Sequence, residues 1–100
     1  MRILQERPET DSLIYSVDLL AASGLRALGD RNIRVPDDIS VVGVDNSMYA
    51  RISVPRLTSL DNKLMDMSMT TARMLIETLS GKKTTRNIMI LSNIKEREST

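Results

Sequence analysis

The sequence predicts an α/β fold in which a parallel βαβ sheet is flanked by helices. Two short apolar runs, residues 13–17 and residues 39–44, have the length and β-branched content of strands buried in a parallel sheet. Between them, residues 19–30 space their apolar side chains at the helical period. A strand, a helix and a strand in this order form a right-handed unit with parallel strands in nearly all cases.

The N-terminal part predicts the end of one helix, the first strand and a second helix. Residues 1–7 are typical of a helix tail that Pro8 ends, because the residue before a proline avoids helical backbone angles. After the strand at 13–17, Asp18 is a good N-cap for a helix that runs to Asp30. One face of this helix carries Ala21, Leu25 and Leu28, with Ala22 beside them.

The end of this helix leads through a turn into the second strand. Asn32 suits the left-handed position after a helix, and the amide of Ile33 would close the cap. Residues 35–38, VPDD, predict a turn because Pro36 fixes φ and aspartates bond nearby amides. We expect the strand at 39–44 to be buried on both faces.

The second half predicts a loop, an extended piece, a long helix and two closing strands. Residues 45–56 have a mixed character that favours a loop, and residues 57–60 favour a third extended piece. Asp61 or Asn62 is expected to cap a helix that Gly81 ends. The apolar stripe of this helix consists of Leu64, Met65, Met69, Ala72, Leu75, Ile76 and Leu79. The closing strands are residues 87–91 and residues 94–97.

The composition restricts the chemistry. The sequence has no histidine and no cysteine, which excludes disulfides, zinc sites built on those ligands, and Ser–His or Cys–His catalysis. An enzyme of the doubly wound type would need a glycine-rich phosphate loop, and the sequence contains none. We therefore expect a protein that is not an enzyme and that binds no metal and no cofactor.

Charge and hydropathy restrict the partners. The net charge is +1, and Lys82, Lys83 and Arg86 form the only tight basic cluster, so these 100 residues are not expected to bind nucleic acid directly. No apolar run reaches the roughly 18 residues that span a bilayer, and the N-terminus lacks the apolar core of a secretory signal. We expect a soluble, cytoplasmic protein without membrane contact.

Two aspartates follow the two strands of the βαβ unit, where open parallel sheets bind their ligands. Asp45 follows the second strand, and its carboxylate could accept hydrogen bonds from vicinal hydroxyls or ring N–H groups. The alternative is that Asp45 only caps a turn with Asn46 and Ser47. For Asp18, after the first strand, helix capping is the alternative to ligand contact. A catalytic pair of these acids has no other support in the sequence.

Three separate stretches resemble the LacI/GalR family of transcription regulators. Residues 33–46, IRVPDDISVVGVDN, resemble the family pattern I/L-R-V-P-D/E-D-I/V-S-V/L-V/I-G-F/Y-D-D/N. Here Asn32 replaces the Gly that precedes the pattern, and Val44 replaces its aromatic residue. Residues 55–60, PRLTSL, resemble P-x-L-T-T-V/I, and residues 97–100, REST, resemble R-x-S/T-T/V.

The resemblance implies an incomplete part of a periplasmic-binding-protein-like type I fold. In this family two α/β lobes flank a cleft for a small effector, often a sugar or a purine, and the protein is a dimer. Operator DNA is bound only through an N-terminal helix-turn-helix, which these residues do not contain. The effector acts through its unequal affinity for two conformations. We expect the C-terminal segment of the effector-binding domain of such a regulator, and in particular of a repressor.

The resemblance also implies roles for individual residues. Asp45 matches the effector-contacting aspartate of the family, and Asp18 and Asn46 are further candidates for effector binding. Val17 occupies a position where Asn or Ser often reaches the effector, so one polar contact is lost here. The dimer interface implied by the resemblance consists of Ala22, Leu25, Met48, Tyr49 and Ile52.

The resemblance divides the chain into three parts. Residues 1–56 would belong to the second lobe, residues 57–86 to the crossover and a helix of the first lobe, and residues 87–100 to terminal strands. Much apolar surface would then lack its partners, so we expect a homodimer or a domain-swapped oligomer. The alternative function is a fragment of a periplasmic sugar-binding transport protein, which shares the fold and would need a secretory signal upstream.

Overall fold

The computed structural model describes residues 1–83 and 87–100. Its helices and strands in chain order are α1 (Arg2–Glu6), β1 (Ser12–Ile14), α2 (Asp18–Gly29), β2 (Ser40–Val44), α3 (Met48–Ile52), β3 (Thr58–Asp61), α4 (Leu64–Leu79) and β4 (Asn93–Lys95). The sheet order is β1-β2-β3-β4, with β1, β2 and β3 parallel and β4 antiparallel to β3. The predicted α/β class and its parallel βαβ unit are confirmed.

The core lies between one face of the sheet and the helix α2. The side chains that form it are Ala21, Leu25, Leu28, Ile39, Val41, Ala50 and Leu57. The predicted inner face of α2 is confirmed, because Ala21 and Leu28 are fully buried and Leu25 is only 6% exposed. Each large aliphatic side chain buried here stabilises the fold by about 1.5–3 kcal/mol. This packing fixes α2 against the sheet, and the first residue of α2, Asp18, contacts the residues that follow β2.

Both predicted helix terminators are confirmed. Asn32 has φ 57° and donates its amide to the Gly29 carbonyl at 3.0 Å. The amide of Ile33 closes the cap on the Leu28 carbonyl at 3.0 Å. Gly81, with φ 77°, ends α4 in the left-handed region that glycine adopts without steric cost.

Both predicted N-caps are wrong. Extended Val17 precedes α2, and Asp18 is the first residue of that helix, with its carboxylate bonded to other elements. The residue that precedes α4 is Lys63, in the left-handed region with φ 55°, and its amide donates to Asp61 at 2.9 Å. The local sequence favours caps on the nearest helix, but tertiary packing uses the Asp18 carboxylate and a tight turn uses that of Asp61.

Three strand and loop predictions need correction. The first strand ends at Ile14 rather than at residue 17. Residues 45–56 contain the helix α3, which forms because Ala50 packs fully buried against the core. Residues 87–100 contain one strand, β4, which pairs with residues 59–61 of β3. Residues 87–91, predicted as a further strand, do not form one.

The C-terminal residues join the beginnings of β2 and β3. Ser99 is fully buried, and its carbonyl accepts the Val41 amide at 2.9 Å. Its hydroxyl accepts the Thr58 amide at 2.8 Å and donates to the Val41 carbonyl at 2.6 Å. Ser99 therefore bridges β2 and β3.

One face of the sheet is only partly covered. Along β2, Val41 and Gly43 are buried, whereas Val42 and Val44 on the other face are half-buried. Ile14, in register with Val42, is 80% exposed. The expectation that this strand is buried on both faces is wrong, because no helix of the described residues packs on the second face.

Helix α4 exposes its apolar stripe to solvent. None of its residues is buried, and Leu79 is 78% exposed. The described residues extend over 59 × 26 × 17 Å. The stripe finds no cover within residues 1–83 and 87–100. None of the helices in these ranges is both long and apolar enough to span a membrane.

Candidate functional site

An open cleft of about 620 Å³ lies at the carboxyl end of the parallel strands. Its lining consists of Asp45, Asn46, Ser47, Asp61, Leu64, Met65 and Ser68. The side formed by the strand ends is polar, and the side formed by α4 is largely apolar. Open α/β sheets bind ligands at this end, and small-molecule sites usually measure about 300–1,000 Å³. The cleft therefore has the position and size of a small-molecule site.

The turn after β2 presents the Asp45 carboxylate to this cleft. Asp45 and Asn46 both have positive φ, 105° and 48°, and the Asp45 amide donates to the Leu60 carbonyl at 2.8 Å. Asparagine tolerates the left-handed region, but the φ of Asp45 lies outside it and is costly, and such strain is concentrated at functional sites. The Asp45 carboxylate is exposed and accepts one long hydrogen bond, 3.4 Å, from Asn62. The Asp45 carboxylate therefore lines the cleft with acceptor capacity to spare.

The side chain of Asn46 is held from both ends. Arg97 donates to its Oδ1 at 2.5 Å, and its Nδ2 donates to Asp61 at 3.3 Å. The backbone amide of Lys63 holds the pKa of Asp61 below its usual range, with a smaller contribution from the Lys63 ammonium. Asp61 is therefore an anion at neutral pH, and the orientation of the Asn46 amide is defined by its neighbours.

Asp18 lies beneath the cleft and is 1% exposed. Its Oδ2 accepts the amide of Ser47 at 2.7 Å and the Ser47 hydroxyl at 2.8 Å. Its Oδ1 accepts the hydroxyl of Ser59 at 2.6 Å. Gly43 leaves room for the carboxylate, because a Cβ at that position would lie 2.3 Å from Oδ1. Asp18 thus supports the cleft from below, and its direct contact with an effector stays a prediction.

A second, smaller groove of about 310 Å³ lies between α2 and α3. Its lining consists of Ala22, Leu25, Arg26, Tyr49, Ile52, Ser53 and Val54. It includes four of the five residues predicted for the dimer interface, and the fifth, Met48, is 58% exposed on α3. Leu25 belongs mainly to the core and forms the floor of the groove.

Sequence reasoning missed four polar residues of the site: Ser47, Ser59, Asp61 and Arg97. Ser59 and Arg97 lie in stretches that resemble the LacI/GalR patterns, which was the one available signal. Their bonds to Asp18 and Asn46 span 41 and 51 residues, so no local pattern predicts them.

The other candidate sites of the sequence contribute little to this cleft. Arg86, the third member of the predicted basic cluster, lies outside the described residues. Within the part of the chain that the structure describes, no three His, Cys, Asp or Glu residues form a metal-binding group. Val17 is half-buried before α2, and its side chain offers no hydrogen bond.

A mostly parallel sheet with a cleft at the carboxyl ends of its strands is the arrangement of an α/β ligand-binding domain. The family model described as "Periplasmic binding protein-like domain" matches residues 1–100. The chain belongs to this family.

Relatives among curated proteins are longer transcription regulators. The HTH-type transcriptional regulator CelR of Thermobifida fusca is 32% identical over 98 residues, which are 97% of this chain and 29% of that protein. The ribose operon repressor of Halalkalibacterium halodurans is 30% identical over 80 residues, which are 80% of this chain and 24% of that protein. The chain therefore spans less than a third of these relatives.

Solved structures give the same result. The "transcriptional regulator CelR-cellobiose complex" superimposes with a TM-score of 0.89 and 31% identity, over 98% of this chain and 30% of that one. A LacI family transcriptional regulator from Arthrobacter sp. FB24, in complex with lactose, gives a TM-score of 0.88 and 31% identity, over 99% of this chain and 38% of that one. The resemblance to the C-terminal part of LacI/GalR regulators is confirmed.

Proposed function

We propose that the chain is the C-terminal segment of the effector-binding and dimerisation domain of a DNA-binding transcription regulator, in particular a repressor. The observation that carries this proposal is the exposed Asp45 carboxylate, which a strained turn presents to the cleft. The named relatives are transcription regulators, which favours this function over a sugar-transport protein. Operator DNA would be bound by a helix-turn-helix outside these residues.

The chemistry of the cleft favours an uncharged effector with several hydroxyl or N–H donors, a sugar or a purine-like metabolite. Asp45 and Asp61 offer carboxylate acceptors, which form the stronger class of hydrogen bond. Leu64 and Met65 offer apolar surface to the face of a ring. A phosphorylated effector would meet like charge at this edge of the cleft. Sugars in two solved relatives, cellobiose and lactose, agree with this class.

The groove between α2 and α3 supports the dimer part of the proposal. Tyr49, Ile52 and Val54 are 39%, 63% and 91% exposed there, on neighbouring positions of one surface. Contiguous apolar surface of this kind is typical of interfaces between subunits. A two-fold axis through the groove would bring the same residues of two copies together. Exchange of α4 between copies is the competing assembly, since its stripe is also exposed.

Effector binding is tested by calorimetry on the complete regulator with cellobiose, lactose, D-ribose and hypoxanthine. We expect at least one to bind, and the variant Asp45→Asn to bind it roughly 10- to 100-fold more weakly, because a bond to a charged acceptor is lost. Operator binding should persist in this variant. Asp37→Asn is the matched control, since the Asp37 carboxylate is exposed and its one ion pair is with the Arg34 guanidinium, 3.7 Å from it within the described residues. Unchanged affinity in Asp45→Asn would refute the assignment.

A further inference from the structure

We propose that Asp18 is a positioning residue that couples the cleft to helix α3, and through α3 to the groove between α2 and α3. This inference rests on the proposed function in one respect, since it takes the cleft as the effector site. Its physical basis is a short chain of buried hydrogen bonds from the turn after β2 to a single carboxylate.

The first part of this chain connects the cleft to Asp18. The backbone amide of Asn46, a cleft residue, donates to the Ser59 hydroxyl at 2.9 Å. The Ser59 hydroxyl in turn donates to Oδ1 of Asp18 at 2.6 Å. Ser59 is fully buried, so water does not replace either bond. The position of Asn46 is therefore tied to that of the Asp18 carboxylate.

The second part connects Asp18 to both helices of the groove. Ser47 directly precedes α3, and its amide and hydroxyl both donate to Oδ2 of Asp18, at 2.7 and 2.8 Å. Asp18 itself is the first residue of α2. One carboxylate therefore holds the beginning of α3 against the beginning of α2.

The Asp18 carboxylate has little space to move independently of the groups bonded to it. Asp18 is 1% exposed, and Gly43 approaches so closely that a Cβ would lie 2.3 Å from Oδ1. Loss of a donor would leave part of a buried carboxylate without a partner, which costs more than an ordinary hydrogen bond contributes. A shift of Asn46 on effector binding therefore moves Ser47 and the beginning of α3 with it.

The consequence is a route from the effector to the subunit interface. Helix α3 carries Tyr49 and Ile52, which line the groove. An effector that favours one position of Asn46 favours one position of these side chains. It does so only to the extent that its affinity differs between the two positions.

The coupling is tested by hydrogen exchange on the complete protein without effector. Ser59→Ala lies on β3, and the Ser59 hydroxyl bonds to Asn46 and Asp18 rather than to a residue of α3. We nevertheless expect the substitution to speed exchange at residues 46–52 roughly tenfold. Exchange at β1 and β2 should change much less. Ser23→Ala is the matched control, because the Ser23 hydroxyl bonds within α2, to the Leu19 carbonyl at 3.0 Å.

A second variant keeps the test valid if Ser59→Ala fails to fold. In Asp18→Asn the side chain keeps its shape, but one acceptor oxygen becomes a donor. We expect this variant also to speed hydrogen exchange at residues 46–52. The double variant should show less than the sum of the two single effects, because both remove the same bond. Unchanged exchange at residues 46–52, or an equal increase in every strand, would overturn the proposal.

These outcomes are separate from those of the effector experiment. The exchange measurement contains no effector, so it reports on the bonds around Asp18 whichever metabolite binds. If the protein binds none of the sugars but the variants exchange faster at residues 46–52, the coupling through Asp18 is supported and the proposed effector class is wrong.

Discussion

Arg97 donates a hydrogen bond of 2.5 Å to the side-chain carbonyl of Asn46, across 51 residues of sequence. The same guanidinium donates to the Leu57 carbonyl at 2.8 Å, and the Arg97 amide donates to the Thr58 hydroxyl at 2.8 Å. The C-terminal segment thus fixes one wall of the cleft from behind. Asn46 has a defined orientation because β3 and the C-terminus position Arg97.

Arg97→Lys should lower the free energy of unfolding by about 1–2 kcal/mol, because a single ammonium does not reproduce the forked contacts to Asn46 and Leu57. Urea denaturation measures this change. Arg31→Lys is the control, since the exposed Arg31 side chain makes one hydrogen bond within the described residues, to the Ala27 carbonyl at 3.1 Å. It should change stability by less than about 0.5 kcal/mol. Equal effects of the two substitutions would contradict the role of Arg97.

Gly43→Ala and Gly29→Ala should have opposite effects. A Cβ at Gly43 would lie 2.3 Å from the Asp18 carboxylate and 2.7 Å from Leu57, so we expect destabilisation by about 1–3 kcal/mol. A Cβ at Gly29, in the last turn of α2, meets nothing within 4 Å, and alanine should stabilise the fold by about 0.5–1 kcal/mol. Thermal unfolding of the two variants provides the comparison, and a neutral Gly43→Ala would show that the carboxylate has space to move.

Glu98 should make stability depend on pH in the acid range. The Arg56 amide and guanidinium donate to its two oxygens at 3.0 and 2.7 Å and hold the pKa of Glu98 below its usual range. Because the pKa is lowered by folding, the stabilisation is present above the ordinary glutamate pKa, about 4.3, and is lost as the pH falls through the lowered value.

Glu98→Gln should therefore lose stability less steeply than the natural protein between about pH 5 and pH 3. The measurement is the urea midpoint as a function of pH for both proteins. Parallel curves would show that the contact with Arg56 does not contribute to the pH dependence.

Ile52→Asp should weaken the proposed homodimer. Ile52 is 63% exposed beside the groove, and a charge buried there without a partner would raise the dissociation constant by at least about tenfold. Sedimentation equilibrium measures this constant. Met89→Asp, at a residue that is 86% exposed outside the groove, is the control. If Leu75→Asp on α4 dissociates the assembly and Ile52→Asp does not, the copies exchange α4 instead.

The sequence by itself determined the elements whose cause is local. The apolar period of α2, the left-handed residues Asn32 and Gly81 and the β-branched run of β2 are set by neighbours within about one helical turn. The order of strand, helix and strand then determined the parallel sheet, and placed Asp45 at its carboxyl end.

Only the tertiary structure decided what the polar side chains do. Asp18 has the sequence context of a helix cap, but its carboxylate bonds to Ser47 and Ser59, 29 and 41 residues away. The same holds for Asn46 and Arg97. The physical reason is that a carboxylate, amide or guanidinium bonds to whichever partner the packed chain brings within about 3 Å, and that partner depends on the packing of the whole sheet.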